Sequence, residues 1–177
     1  MQTTESLARD IRDCHNQAMA PHSRSLQRPV QLDDVSKAII EQLQADGRRS
    51  YADIGKAVGL SEAAVRQRVQ RLTEAGVMQI VAVTDPMQLG FTRQAMIGVR
   101  AAGDTRRLAE ELAEIPEIDY VVLTAGSFDV LAEVVCEDDD QLLELLNERI
   151  RALDGVQTTE TFVYLKLQKQ FYNWGTR

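Results

Sequence analysis

The stretch SEAAVRQRVQR, from Ser61 to Arg71, collects side chains suited to gripping an anion or the edge of a base. Arginine presents a planar fork of donors that fits guanine or a phosphate in pairs, and glutamine offers paired hydrogen bonds to adenine. Three arginines and one glutamate fall between Glu62 and Arg71, in a chain whose formal net charge is -7. A second stretch, TAGSFD from Thr124 to Asp129, suits a small ligand carrying both a carboxylate and an ammonium group. Gly126 at positive φ would expose neighbouring backbone N–H groups to a carboxylate, Asp129 could counter an ammonium, and Thr124 could bond either. Ala125, Ser127 and Phe128 complete that loop, and Thr159 and Thr161 on the last predicted strand could face a neighbouring subunit and add hydroxyls. Gly-Ser is also ordinary hairpin chemistry, and an Asp after it commonly satisfies local backbone N–H groups.

Other clusters carry less. Cys14, His15 and His22 match no common zinc spacing, so no metal is expected. The run EDDDQ at Glu137–Gln141 lacks the glycine and distal glutamate of a calcium loop and reads as a helix start. Both histidines lie in the first thirty residues, and there is no nucleophile elbow or phosphate-cradling glycine loop. No catalytic residue is expected.

The elements that must hold these side chains are legible in the periodicity. Asp33 is a good N-cap for a helix with Val35, Ile39, Ile40 and Leu43 on one face, stopping near Gly47. Ser50, followed three residues later by Asp53, caps a second helix with Ile54, Ala57 and Val58 inward, ending at Gly59. Ser61 caps a third, which Gly76 ends. In that third helix Val65, Val69 and Leu72 form a narrow apolar stripe, with Arg68 at its edge. The opposite face carries Ala63, Gln67 and Gln70, flanked by Arg66 and Arg71. Two short helices joined through VGLS form a helix-turn-helix pattern whose second helix would meet a major groove. Ser61, Glu62, Ala63, Arg66, Gln67, Gln70 and Arg71 are the candidate DNA contacts, with Arg49 among the residues that could reach the backbone from the preceding loop. The competing reading is a solvated helix face, since Arg and Gln are common there.

After Gly76 the period falls to two: VMQIVAVTD predicts a strand, broken at Asp85-Pro86. Beyond it come a strand (93–100), a helix (104–115), strands (119–125 and 128–136), a helix (138–153) and a strand (156–167). That β-α-β-β-α-β order predicts a ferredoxin-like antiparallel sheet with two helices on one face. The expected fold class is therefore α+β: a mobile arm (1–30), a helix-turn-helix, winged-helix-like domain (31–76), a strand linker (77–90), and a ferredoxin-like domain (91–177). The tail FYNW, Phe171–Trp174, is expected to pack on a partner subunit. Charge divides along the same lines. Residues 32–85 hold seven basic and eight acidic side chains, whereas residues 86–177 hold nine and sixteen. The acidity thus belongs to the second domain, and an anion-binding function belongs to the first half. The apolar runs are far too short to cross a bilayer, and no leader pattern opens the chain, which predicts a cytoplasmic protein with no membrane partner.

From about residue 31 to 171 the sequence resembles the Lrp/AsnC, or feast/famine, family. The resemblance rests on LDDVSKAIIEQLQADGRRSYADIGKAVGLSEAAVRQRVQRLTEAGVMQ, on TAGSFDVLAEV and on GVQTTETFVYLK. It implies a transcription regulator that binds double-stranded DNA, dimerises through its second domain and associates further into octamer-like rings. It also implies an amino-acid effector where subunits meet, with no cofactor. The alternative is a small-molecule sensor that acts through protein contacts without binding DNA.

Overall fold

The computed structural model describes residues 31–177 and divides into two compact units. One runs up to Val81 and includes Phe171–Arg177; the other is Ala82–Gln170. Cys14, His15, His22 and the expected arm lie outside the described residues.

The first unit is three helices: α1 (Asp34–Ala45), α2 (Tyr51–Val58) and α3 (Glu62–Glu74). Each is capped by the residue its sequence offers. The Asp33 carboxylate accepts from the Ser36 N–H at 2.7 Å, the Ser50 hydroxyl from the Asp53 N–H at 3.1 Å, and the Ser61 hydroxyl from the Ala64 N–H at 3.2 Å. These bonds satisfy donors that the first turn of a helix leaves without partners. Ile39, Leu43, Ile54, Val65 and Val69 form the core, with Val35, Tyr51, Val58, Leu60 and Met78 packed around it. Ala57, expected inside, is exposed; Gly55 takes the buried place on that face. The turn between α2 and α3 explains the exchange. Gly59 adopts φ 74°, and the N–H groups of Gly59 and Leu60 both return to the Gly55 carbonyl, folding the chain tightly back over Gly55.

Val77–Asp85 is not a strand. Its alternation is real, but the segment pairs with no other in the described chain, and Ile80, Val81 and Val83 are exposed. A strand's backbone groups need a neighbouring strand, which periodicity alone does not supply. Within the single chain, Phe171–Arg177 groups with the first unit, where the Thr176 hydroxyl donates to the Glu41 carboxylate.

The second unit carries β1 (Arg93–Ala101), α4 (Thr105–Ala113), β2 (Ile118–Leu123), β3 (Val130–Cys136), α5 (Asp139–Glu144, continuing as a π-helical turn over Leu145–Ile150) and β4 (Val156–Val163). The sheet order is β2-β3-β1-β4 with every neighbouring pair antiparallel, the ferredoxin-like topology. Ala95, Ile97, Val99, Val130, Ala132 and Val134 face the helices and pack on Leu108, Leu112, Leu142, Leu145 and Ile150. The acidic run opens α5 as expected: Asp138 caps it at 2.8 Å from the Gln141 N–H, and Asp139 pairs with Arg93. β4 is shorter than its pattern suggests, because β1 begins at Arg93 and the last bond to it is the Tyr164 N–H to the Gln94 carbonyl at 2.8 Å. A short 3-10 turn, Pro86–Leu89, precedes β1.

Candidate nucleic-acid interface and effector loop

Val65, Val69 and Leu72 are buried, which turns Ala63, Arg66, Gln67, Gln70 and Arg71 to solvent. The three arginines of α3 have three different environments. Arg68 reaches back to α1: its Nη1 lies 2.7 and 3.0 Å from the Asp33 carboxylate oxygens and 3.0 Å from the Ser36 hydroxyl. It ties the helices together. Arg66 pairs with Glu62 at 2.7 Å and lies over the Tyr51 ring, 5.3 Å from its centroid. Arg71 makes no side-chain hydrogen bond among the described residues, and neither does Gln67; Gln70 donates to Glu74 at 2.8 Å.

Two expected contacts are already engaged within the chain. The Ser61 hydroxyl is committed to its cap, and the Glu62 carboxylate to Arg66. Arg49 is exposed beside the α2 N-terminus, with Lys56 bonded to Asp53 at 3.1 Å. Tyr51 went unsuspected in the sequence, since nothing in the spacing of residues 51 and 66 announces their contact.

In the second unit the connection between β2 and β3 is a six-residue loop, Thr124–Asp129, rather than a tight two-residue turn. The Thr124 N–H donates to the Asp129 carbonyl at 2.9 Å, and the Thr124 hydroxyl to the Phe128 carbonyl. Gly126 does not take positive φ: the longer loop spreads the reversal over more residues, so no left-handed position is needed there. Asp129 has a structural duty. One carboxylate oxygen accepts the Ala101 N–H at 2.8 Å, where the β1–β4 register shifts between Arg100 and Ala101. The Ala125, Gly126 and Ser127 N–H groups make no backbone hydrogen bond among the described residues.

Phe128 lies on the open face of the sheet, over Gly98, where a Cβ would come within 2.8 Å of its ring. Phe162 meets it edge to face at 6.0 Å, and the Arg100 guanidinium lies 5.7 Å from its centroid. Thr159 and Thr161 stand opposite Val99 and Ile97, on the helix-covered face, where the Thr159 hydroxyl accepts from Arg151 at 2.9 Å. Strand parity therefore sends these threonines and Phe128 to opposite sides of the sheet, and within one chain they do not converge. Among the described residues no group of three or more His, Cys, Asp or Glu is arranged to hold a metal ion, and no helix is long and apolar enough to cross a membrane.

Two family models match the chain: an AsnC-type helix-turn-helix domain over residues 32–73, and an AsnC-type C-terminal dimeric alpha+beta barrel domain over residues 95–177. The chain belongs to the AsnC family of transcriptional regulators. An HTH-type transcriptional regulator of Pyrococcus horikoshii is 34% identical over 157 residues, covering 88% of this chain and 94% of that one. The regulator FL11 of Pyrococcus furiosus is 35% identical over 78% of this chain and 93% of its own length. Escherichia coli AsnC superposes with TM-score 0.69 at 26% identity, covering 80% of this chain and 97% of AsnC. A Neisseria meningitidis regulator solved as an L-Met complex also gives 0.69, at 25% identity over 81% and 96%. This AsnC-family chain is a transcriptional regulator, not an enzyme.

Proposed function

We propose that this regulator reads duplex DNA through the outer face of α3 and changes its assembly or DNA affinity when an amino acid binds near the Thr124–Asp129 loop. The observation carrying the first half is the outward row of Gln67 and Arg71, which make no side-chain hydrogen bond among the described residues, beside the exposed Arg66 on a helix whose other face is core. Net acidity does not oppose this, because short-range contacts to phosphate depend on the local field and the charge of the second unit is screened beyond about 8–10 Å at physiological salt. A dimer built on the open sheet faces fits the matched domain's description as dimeric. In such a dimer two α3 helices would enter successive major grooves about 34 Å apart. An amino-acid effector is supported by the L-Met complex of the Neisseria meningitidis neighbour and by the uncommitted backbone N–H groups of Ala125, Gly126 and Ser127. An octamer and a cytoplasmic address are consistent with this reading.

The test is binding of the full chain to the DNA upstream of its own gene, by fluorescence anisotropy at fixed salt. Replacing both Arg66 and Arg71 with Ala should weaken binding about 100-fold, at about 1–3 kcal/mol per lost contact, with thermal stability nearly unchanged. A stable double variant that bound as wild type would remove α3 from the interface. Calorimetric titration with the set of amino acids tests the effector. Heat from at least one, with a shift in assembly size or DNA affinity, is expected; silence across the set overturns that half.

A further inference from the structure

Arg66 is the one α3 arginine that is both exposed and held. Its side chain is 63% exposed, yet Nη2 lies 2.7 Å from the Glu62 carboxylate and the guanidinium rests on the Tyr51 ring. The two restraints come from different elements. Tyr51 opens α2 and Glu62 opens α3, and the tight turn over Gly55 fixes one against the other. Tyr51, Arg66, Gln70 and Ile80 line an open groove of about 350 Å³ along this side of α3.

We propose that Tyr51 and Glu62 form a clamp that aims Arg66 at a base edge and withholds its charge from non-cognate DNA. The proposal rests on α3 being the DNA-reading helix. A guanidinium has five N–H donors in one plane, so the ring can cover a face and the carboxylate an edge while the remaining donors stay free. Held this way, the side chain loses less rotamer freedom when it meets its target. Glu62 also cancels much of the attraction to phosphates, which every sequence offers equally. A paired acceptor of the right geometry, such as guanine O6 and N7, is then needed to engage the donors that the carboxylate leaves free. Tyr51 is a positioning residue, and Glu62 sets discrimination.

The experiment uses the full-length protein, a duplex enriched by the wild type from a random-sequence library, and a scrambled duplex of equal length. Both are measured over a range of salt concentrations. Glu62→Gln should bind the scrambled duplex more tightly and steepen its log Kd against log salt by about 0.9, the slope that neutralising one more phosphate produces. Tyr51→Leu should weaken the enriched duplex about tenfold more than the scrambled one. Tyr51→Phe, which keeps the ring, should retain discrimination, and melting temperatures should stay together.

If Tyr51→Leu and Glu62→Gln match wild type on both duplexes while Arg66→Ala weakens the enriched one, the clamp is refuted and the α3 reading stands. Equal weakening on both duplexes by Tyr51→Leu, with a lowered melting temperature, assigns Tyr51 a structural role and refutes the clamp too. Loss on both duplexes by Arg66→Ala identifies a phosphate contact and overturns base-edge aiming. Failure of the wild type to enrich any sequence, or wild-type binding by Arg66→Ala with Arg71→Ala, removes the DNA reading and the clamp with it.

Discussion

Asp33 shows how much one side chain can be asked to do. Its carboxylate caps α1, bonds Ser36 and receives Arg68 from α3. Hydrogen bonds from the Ser36 and Arg68 side chains, in that order, hold its pKa at about 2, below the ordinary 3.8. A depressed folded-state pKa gives stability that is present in full above about pH 4 and lost as pH falls toward 2. Asn also caps helices well, so Asp33→Asn isolates the charge from the cap. The variant should melt a few degrees lower at pH 7, and the gap to wild type should shrink as pH falls from about 4 to 2, followed by circular dichroism. A gap unchanged down to pH 2 would show that the carboxylate's charge contributes nothing. The same residue accounts for Arg68: an arginine drawn into the scaffold is unavailable to DNA, although composition counts it with the others.

At the scale of elements, the α2–α3 turn sets where α3 points. A Cβ on Gly55 would sit 2.5 Å from the Leu60 carbonyl oxygen, closer than real Cβ contacts come. The clash is with backbone of the turn, which has no side chain to swing away. Gly55→Ala should therefore destabilise the first unit by about 1–3 kcal/mol despite alanine's better helix propensity, and should weaken DNA binding along with it. Unchanged melting and binding would mean that the turn is more pliant than its hydrogen bonds suggest. The turn is legible in the sequence at Gly59 but not at Gly55, because a glycine inside a helix carries no periodic signal. The alternation of Val77–Asp85 is equally legible, yet it marks only which residues could face a partner. A ladder requires that the partner be there.

For the whole molecule, the decisive surface is the open side of the sheet. Met96, Leu131, Val135 and Phe162 lie there with Phe128, while the other side is filled by α4 and α5. Phe162, on the edge strand β4, leaves 43% of its surface exposed in the single chain, beside the Phe128 ring, and so adds a large apolar group to this open face. Phe162→Glu should convert the dimer to a monomer by light scattering while leaving the first unit folded. A dimer surviving at micromolar concentration would place the interface elsewhere.

What the sequence determined by itself was local. Caps, apolar stripes and the order of elements were legible because a helix N-terminus needs an acceptor and a buried face needs apolar residues at fixed period. The outward set on α3 followed from the same geometry. Only the tertiary structure decided which of those side chains were spent. Arg68 went to Asp33, Arg66 to the Tyr51 ring, and Asp129 to the Ala101 N–H, while Thr159 and Thr161 took the helix-covered face of the sheet. The reason is distance along the chain: such contacts form when packing brings remote residues within hydrogen-bond reach, and no periodicity within one element encodes them.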